Sequence, residues 1–426
     1  MRAGRVRGNV RGRVWGVLPP APARFCPLPN GGAPRTAVSW TPDRTSPRNT
    51  FRFMAGGELP MSVRPLDSGT VTGLISDATT APSLHNAQPW RFRFRSRSRT
   101  FELRSDPGRA FRRTDPEGRA AHLGCGAALF NLRVAVADAG WGAETRLLPY
   151  RQEGPSGPSG PSAPGTATPS GARGPLLATV RLSDTGAPDA ELAALYPALS
   201  RRRTSRHPFT EDREIPADVQ AELTRAARKE GAQLVLPTSW HVDTLLELVR
   251  DAEGRDTLDP EQFEEAARWT HTGTEQPGAA ASASAAGPRG GSPDPATEGI
   301  PAYAFGPRRR GGRAPVRDFA GRRQVPGREA ADFEDWPHLV LLGTARDEPA
   351  DWLRAGQAME RVLLAATRAG LATSLTSHAV EHADLRRLVR DPQSTMAYVQ
   401  MVLRLGYGPS GPATPRRPVG DVLDPG

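Results

Sequence analysis

Ala81-Pro82-Ser83-Leu84-His85-Asn86-Ala87-Gln88-Pro89-Trp90 joins two segments of different periodicity. Before it, residues from Gly69 to Thr80 have apolar side chains at helical spacing, with Asp67 or Ser68 available as N-cap. After it, Trp90 to Phe94 alternates Arg with aromatics and Thr100 to Arg104 alternates again, which predicts a hairpin turning at Ser96 to Arg99. Pro82 and Pro89 fix their own φ and push the preceding residues out of the helical region, so the loop is stiff at both ends. Ser83, Asn86 and Gln88 then present hydroxyl and amide groups from a backbone with little freedom. Such a loop suits the fixing of a flat, hydrogen-bonding ligand. The same composition also serves a helix-to-strand connection whose side chains cap the backbone.

Further along the chain, the pattern predicts a helix over Gly126 to Gly140, a strand over Leu176 to Leu182, a helix over Ala217 to Lys229 and a strand over Gln233 to Leu236. A helix over Val242 to Asp251, a strand over His338 to Leu342, a long helix over Trp352 to Ala369 and a strand over Ala397 to Leu405 follow. Shifted by 230, Gly126 meets Gly356, Ala128 meets Ala358, Ala135 meets Ala365, Ala139 meets Ala369 and Gly140 meets Gly370. Each of these helices precedes a similar strand, ending Val180-Arg181-Leu182 or Leu403-Arg404-Leu405. An internal duplication accounts for both features.

The formal net charge of +10 is unevenly spread. Residues 1–60 hold ten Arg against Asp43 and Glu58, and the rest of the chain holds 46 basic and 44 acidic side chains. That body lacks the broad basic footprint of a nucleic-acid binder, so the hairpin is read with aromatics inward and arginines outward. Cys26 and Cys125 are the only cysteines; Cys125 is read as a packed side chain, and a disulfide framework is not expected. No run of ~18 or more apolar residues predicts a membrane span. Residues 1–60 are read as a disordered or untranslated head, with Met54 or Met61 as alternative starts. The expected setting is the cytoplasm.

Two motifs are set aside. Gly124-Cys125-Gly126 mimics a dinucleotide fingerprint but has no strand before it and no third glycine. His378-Ala379-Val380-Glu381-His382 matches a metal-binding pattern but has no evident third ligand, so no metal is expected.

Ala-Pro-Ser-x-x-Asn-x-Gln-Pro-Trp resembles the signature loop of the flavin-dependent nitroreductase superfamily, and with Arg91-Phe92 it is similar to the Acg-type branch. The resemblance implies an α+β, nitroreductase-like fold: an internally duplicated pseudo-dimer with a lid-like insertion. Its halves would span 65–184, with a flexible insert over 151–175, and 195–426, with a partly disordered lid over 255–330. It implies FMN as cofactor and NAD(P)H as possible co-substrate, with a nitroaromatic or quinone as acceptor. An FMN-sequestering protein with a closed lid is the alternative. The partner would be a small-molecule substrate, bound by a monomer acting as a pseudo-dimer, with no nucleic acid or membrane involved.

The resemblance also implies the site. Arg203-Thr204-Ser205-Arg206-His207-Pro208-Phe209 is similar to the family's phosphate segment, which implies Arg203, Ser205 and His207 as phosphate ligands; Arg201 and Arg202 could compensate for the histidine. Pro412 to Pro418 resembles the C-terminal basic clamp, which implies Arg416 and then Arg417. Gly370 to Ser377 resembles the segment along the ring edge, with Leu375 and Ser377 facing it. Ser83, Asn86 and Gln88 complete the set, and the flavin carries the chemistry, so no catalytic residue is assigned. The loop lies only in the first half and the Arg-Ser segment only in the second, which implies one flavin per chain. Trp269, Tyr303 and Phe305 are the expected lid aromatics.

Overall fold

Two antiparallel sheets are built to the same plan around two central helices. The computed structural model describes residues 66–149, 174–183, 186–272, 297–321 and 323–424; the Arg-rich head with Cys26, most of 151–175 and the stretch 273–296 lie outside the described residues. Helix α1 (Ser68–Ala78) starts at Asp67, whose carboxylate accepts from the Thr70 amide at 2.7 Å. The stiff loop follows, and then the hairpin of β1 (Trp90–Arg95) and β2 (Thr100–Ser105). Trp90, Phe92 and Phe101 are buried, while Arg91 pairs with Asp106 and Arg95 with Glu102. Helix α2 (Arg119–Asp138) leads to β3 (Gly142–Leu147) and β4 (Leu176–Ser183).

The second half repeats the order: α3 (Ala217–Lys229), β5 (Gln233–Val235), then an insert that begins with α4 (Ser239–Leu258) and α5 (Pro260–Arg268). After it come β6 (His338–Thr344), α6 (Pro349–Arg368), β7 (Ala372–Thr376) and β8 (Tyr398–Gly406). The first sheet runs β1-β2-β4-β3 and the second β5-β6-β8-β7, so strand for strand the connectivity is the same. A terminal strand β9 (Leu423–Asp424) crosses back and pairs parallel with β1.

The two halves meet where α2 crosses α6. A Cβ on Gly126 would sit 2.4 Å from the Leu353 carbonyl oxygen and 3.0 Å from the Gly356 Cα. A Cβ on Gly356 would sit 2.2 Å from the Leu123 carbonyl oxygen and 2.9 Å from the Gly126 Cα. The contact is reciprocal, and both pairs, 123 with 353 and 126 with 356, are 230 residues apart. Side chains of α2, α6 and both sheets then share one apolar core. Helix α2 is long and apolar enough to cross a membrane by composition, but it is packed on nearly all sides by the rest of the chain.

Several expected boundaries shift. Helix α2 starts seven residues before Gly126, because Gly124 and Gly126 serve close packing rather than helix breaking. Strand β3 carries mainly exposed polar side chains and has no alternating apolar signal, so it escaped the sequence reading. Helix α4 runs on to Leu258, so the helical part of the insert includes the predicted lid boundary at 255.

Candidate functional site

The loop between α1 and β1 is strained backbone. His85, Asn86 and Gln88 have φ of 45°, 56° and 54°, the left-handed region where Asn and His are tolerated better than most side chains. Every polar group of Asn86 is used: its amide nitrogen donates to the carbonyls of Gly299 and Pro415, each at 3.0 Å, and its oxygen accepts from Arg416 at 2.9 Å. Gln88 donates to the Thr297 carbonyl at 2.8 Å and accepts from the Arg417 amide at 2.9 Å. The Ser83 hydroxyl accepts from the Gln88 amide at 2.9 Å. The loop therefore ties together the insert and the C-terminal tail.

Beside it lies a cavity of about 350 Å³, inside the usual size range of small-molecule sites. Leu84, Leu123, Leu375, Met359 and Met401 give it apolar walls. Its remaining wall is cationic. Arg202 and Arg416 both donate to the Thr80 carbonyl at 3.0 Å, and Arg203, among the described residues, bonds only the Arg202 carbonyl, at 2.7 Å. Among the described residues, the carboxylate paired with this trio is Glu360, fully buried and 3.3 Å from Arg202. Burial, then Arg202 and Arg203, push the Arg416 pKa down to about 9, and burial and Arg202 lower that of Arg203. Burial raises the Glu360 pKa against the pull of Arg202. Two nitrogens of Arg202, Nε and Nη1, are buried without a hydrogen-bond partner. A cluster this cationic and this dry favours an anion.

A second group occupies the wall formed by the insert. Arg206 donates to the Ala304 carbonyl at 2.8 Å and lies 4.8 Å over the Phe319 ring. Arg317 donates to Glu381 at 2.7 Å and to His85 Nε2 at 3.3 Å.

Of the residues singled out in the sequence, Ser83, Asn86, Arg203, Leu375, Ser377 and Arg416 line the cavity. Gln88, Ser205, His207 and Arg417 do not. Ser205 is buried behind the wall, its hydroxyl donating to the Pro409 carbonyl at 2.7 Å and its amide to the Thr373 carbonyl at 2.8 Å. This bonding pins the phosphate-like segment beside β7. The expected lid aromatics also sit elsewhere. Trp269 packs on Phe111, and Phe305 fills the insert's own small core with Tyr303 against it; Ile300, Val316, Arg317 and Phe319 face the cavity instead. The insert is too long to be a bare flap, so its largest side chains make it a core. Glu381 and His382, from the discarded metal pattern, pair with Arg317 and Asp256.

The sequence matches the model of the nitroreductase family over residues 199–407. It is 31% identical over 373 residues, 86% of this chain and 95% of the relative, to a Mycobacterium tuberculosis protein named "Putative NAD(P)H nitroreductase Rv3131". It is 30% identical over 362 residues, 83% of this chain and 95% of the relative, to one from the same organism named "Putative NAD(P)H nitroreductase acg". The chain belongs to the nitroreductase family. Its likeness to acg fits the Acg-type branch that the loop resembles. Among solved structures, the FMN and NADPH-dependent nitroreductase NfnB from Sphigopyxis sp. strain HMH is similar at 19% identity, over 54% of this chain and 97% of its own, with a TM-score of 0.31.

In this nitroreductase-family chain, the polar cavity-lining residues that the sequence did not assign to the site include Arg206, Arg317, Glu381 and His85, with Arg202 placed only as a substitute. Arg202 and Arg206 stand in the same arginine run as Arg203; alternation would put Arg202 and Arg203 on opposite faces, yet both line the cavity, so no local pattern selects them. Arg317 lies in a stretch with no periodicity, so no sequence signal pointed to it.

Proposed function

We propose that this chain is an FMN-dependent oxidoreductase that takes hydride from NAD(P)H and passes it to an electron-poor acceptor such as a nitroaromatic or quinone. The observation that carries the reading is the excess of cations on one cavity wall: Arg202, Arg203 and Arg416 line it, and among the described residues the carboxylate paired with them is Glu360, behind Arg202. With Glu360 ionised the wall is +2, the complement of a phosphate dianion. Arg203 is the best placed of the three to meet it, since among the described residues it makes a single side-chain hydrogen bond. Arg416 acts more as a clamp, holding the tail to the carbonyls of Thr79, Thr80 and Ala81. The apolar walls suit a flat ring, and bound FMN would supply the hydride chemistry.

We also infer that the chain is a fused pseudo-dimer with one flavin site. Support comes from the matching strand order of the two sheets and the reciprocal contact of Gly126 with Gly356. A small-molecule acceptor and action as a monomer follow from that reading, and a cytoplasmic setting is its natural home.

Titration with FMN tests both. One equivalent is expected to bind per chain, and Arg203→Ala should raise Kd by about 10- to 150-fold, the loss of one charge-assisted hydrogen bond. Two equivalents, or unchanged affinity in the variant, would refute the assignment.

One observation favours the sequestering alternative. The insert is pinned over the cavity through Asn86 with Gly299, Gln88 with Thr297 and Arg109 with Glu298. A wall held this firmly restricts access. Anaerobic mixing of the FMN-loaded chain with NADPH separates the two: fast bleaching supports the enzyme, while bleaching by dithionite alone supports a closed store.

A further inference from the structure

Arg206 stands half-buried on the wall that the insert gives to the cavity, its guanidinium carbon 4.8 Å over the ring of Phe319, which borders the same cavity. Its Nη1 donates to the Ala304 carbonyl at 2.8 Å. Its Nε and Nη2 make no hydrogen bond among the described residues, and neither is sealed from water, so a ligand can reach them. Burial, reinforced by Arg317, brings the pKa of the side chain down to about 10, so it is charged at pH 7. Among the described residues no carboxylate pairs with it.

The insert is fitted to this residue. A Cβ on Gly306, at φ 72°, would sit 2.3 Å from the Arg206 carbonyl oxygen, so the insert packs directly on its backbone. The other ionisable groups of the cavity are already answered. Arg202, Arg203 and Arg416, with Glu360, match the phosphate of FMN, and the oxidised flavin ring is neutral. Arg317 is paired with Glu381 at 2.7 Å. Arg119 spends both of its Nη groups on the carbonyls of Gln400 and Val380, at 2.6 and 2.9 Å. His85 is neutral, because burial and then Arg317 push its pKa down to about 3. One positive charge is left over beside an aromatic face. A half-buried charge without a counterion is costly, and an anion joining it offsets that cost.

We propose that Arg206 makes this cavity select acceptors that carry an anionic group beside their electron-poor ring: an aromatic nitro-carboxylate in preference to a neutral nitroarene. Phe319 offers a face to the ring. The Nε and Nη2 edge of the guanidinium offers two parallel donors, the arrangement that meets a carboxylate with two hydrogen bonds. The inference rests on the flavin reading above and narrows its acceptor.

The test compares 4-nitrobenzoate with nitrobenzene on the FMN-loaded chain, each titrated at pH 7 and followed by flavin absorbance. The two share a ring and a nitro group, so packing damage moves both affinities and only their ratio reads the charge. Wild type is expected to bind 4-nitrobenzoate about tenfold or more tighter than nitrobenzene, the contribution of one charge-assisted hydrogen bond. Arg206→Met keeps much of the stem but has neither charge nor donor, and should bring the ratio to within about threefold of one. A wild type that binds the two alike, or binds nitrobenzene more tightly, overturns the proposal. So does an Arg206→Met chain with the wild-type ratio. A third titration, of FMN itself, guards against the cofactor being the anion: an Arg206→Met chain that loses FMN assigns the arginine to the flavin and overturns the proposal as well. Should Arg206→Met not fold, Arg206→Gln takes its place with the same expected ratio, and the wild-type comparison stands without either. A wild-type chain that binds no FMN overturns the flavin reading together with this one, an outcome distinct from an FMN-loaded chain that ignores the carboxylate.

Discussion

Arg404→Met should destabilise the protein by about 3–5 kcal/mol, the cost of stripping one partner from a buried ion pair. Arg404 is wholly buried in β8. Its Nε and Nη2 donate to the two oxygens of Glu334, at 2.5 and 2.7 Å, and Nη2 also reaches the His207 carbonyl at 3.0 Å. The guanidinium lies 3.6 Å over the Phe209 ring, and Glu334 accepts from the Phe209 amide at 3.0 Å. One pair therefore joins the second sheet, the segment from Arg203 to Phe209 and the end of the insert. Methionine fills much of the space but leaves the Glu334 carboxylate buried beside apolar groups. Urea denaturation measures the loss, and adding Glu334→Leu should recover part of it by removing the orphaned charge. FMN affinity should fall too, because the segment bearing Arg203 loses its backing. A variant with the wild-type urea midpoint would mean that the pair is solvated and has no structural role.

Gly126→Val should cost about 3 kcal/mol or more, at or beyond the upper end for overpacking a core. The obstacle is backbone: the Leu353 carbonyl oxygen would be 2.4 Å from the new Cβ, and no rotamer change relieves that. The helices must separate, and the apolar core they share with both sheets must open with them. Gly356→Val should do the same from the other side. The double variant should cost less than the sum, because one separation accommodates both side chains. Thermal melting of the three variants checks this. A Gly126→Val protein that melts with the wild type would show that α2 and α6 do not cross there.

Much of the local structure was legible because it follows from short-range rules. Apolar spacing located α1, α3 and α6, alternation located the hairpin, and the two N-cap candidates, Asp67 and Ser68, bracketed the start of α1, where the structure selects Asp67. The stiff, polar character of the loop followed from Pro82 and Pro89. The 230-residue repeat picked out the two glycines that meet at the helix crossing, without indicating that they touch. Strand β3 was not legible, because an edge strand with polar side chains on both faces carries no period to read.

The contrast between Arg181 and Arg404 shows where sequence stops. Both stand in the same Arg-Leu ending of corresponding strands, β4 and β8, yet Arg181 is exposed and Arg404 fully buried. Nothing local distinguishes them. The difference comes from Phe333 and Glu334, some seventy residues away, which cover that face of the second sheet. The cavity was decided in the same way. The sequence by itself determined that residues 81–90 form a rigid polar turn and that 201–206 are strongly basic. The tertiary structure decided that Arg202, Arg203 and Arg206 face the cavity while Ser205 turns back to Pro409, and that Arg317 reaches His85 from the insert. Periodicity reports only on neighbours along the chain. Which charge meets which depends on contacts between segments hundreds of residues apart, and those exist only once the core has closed.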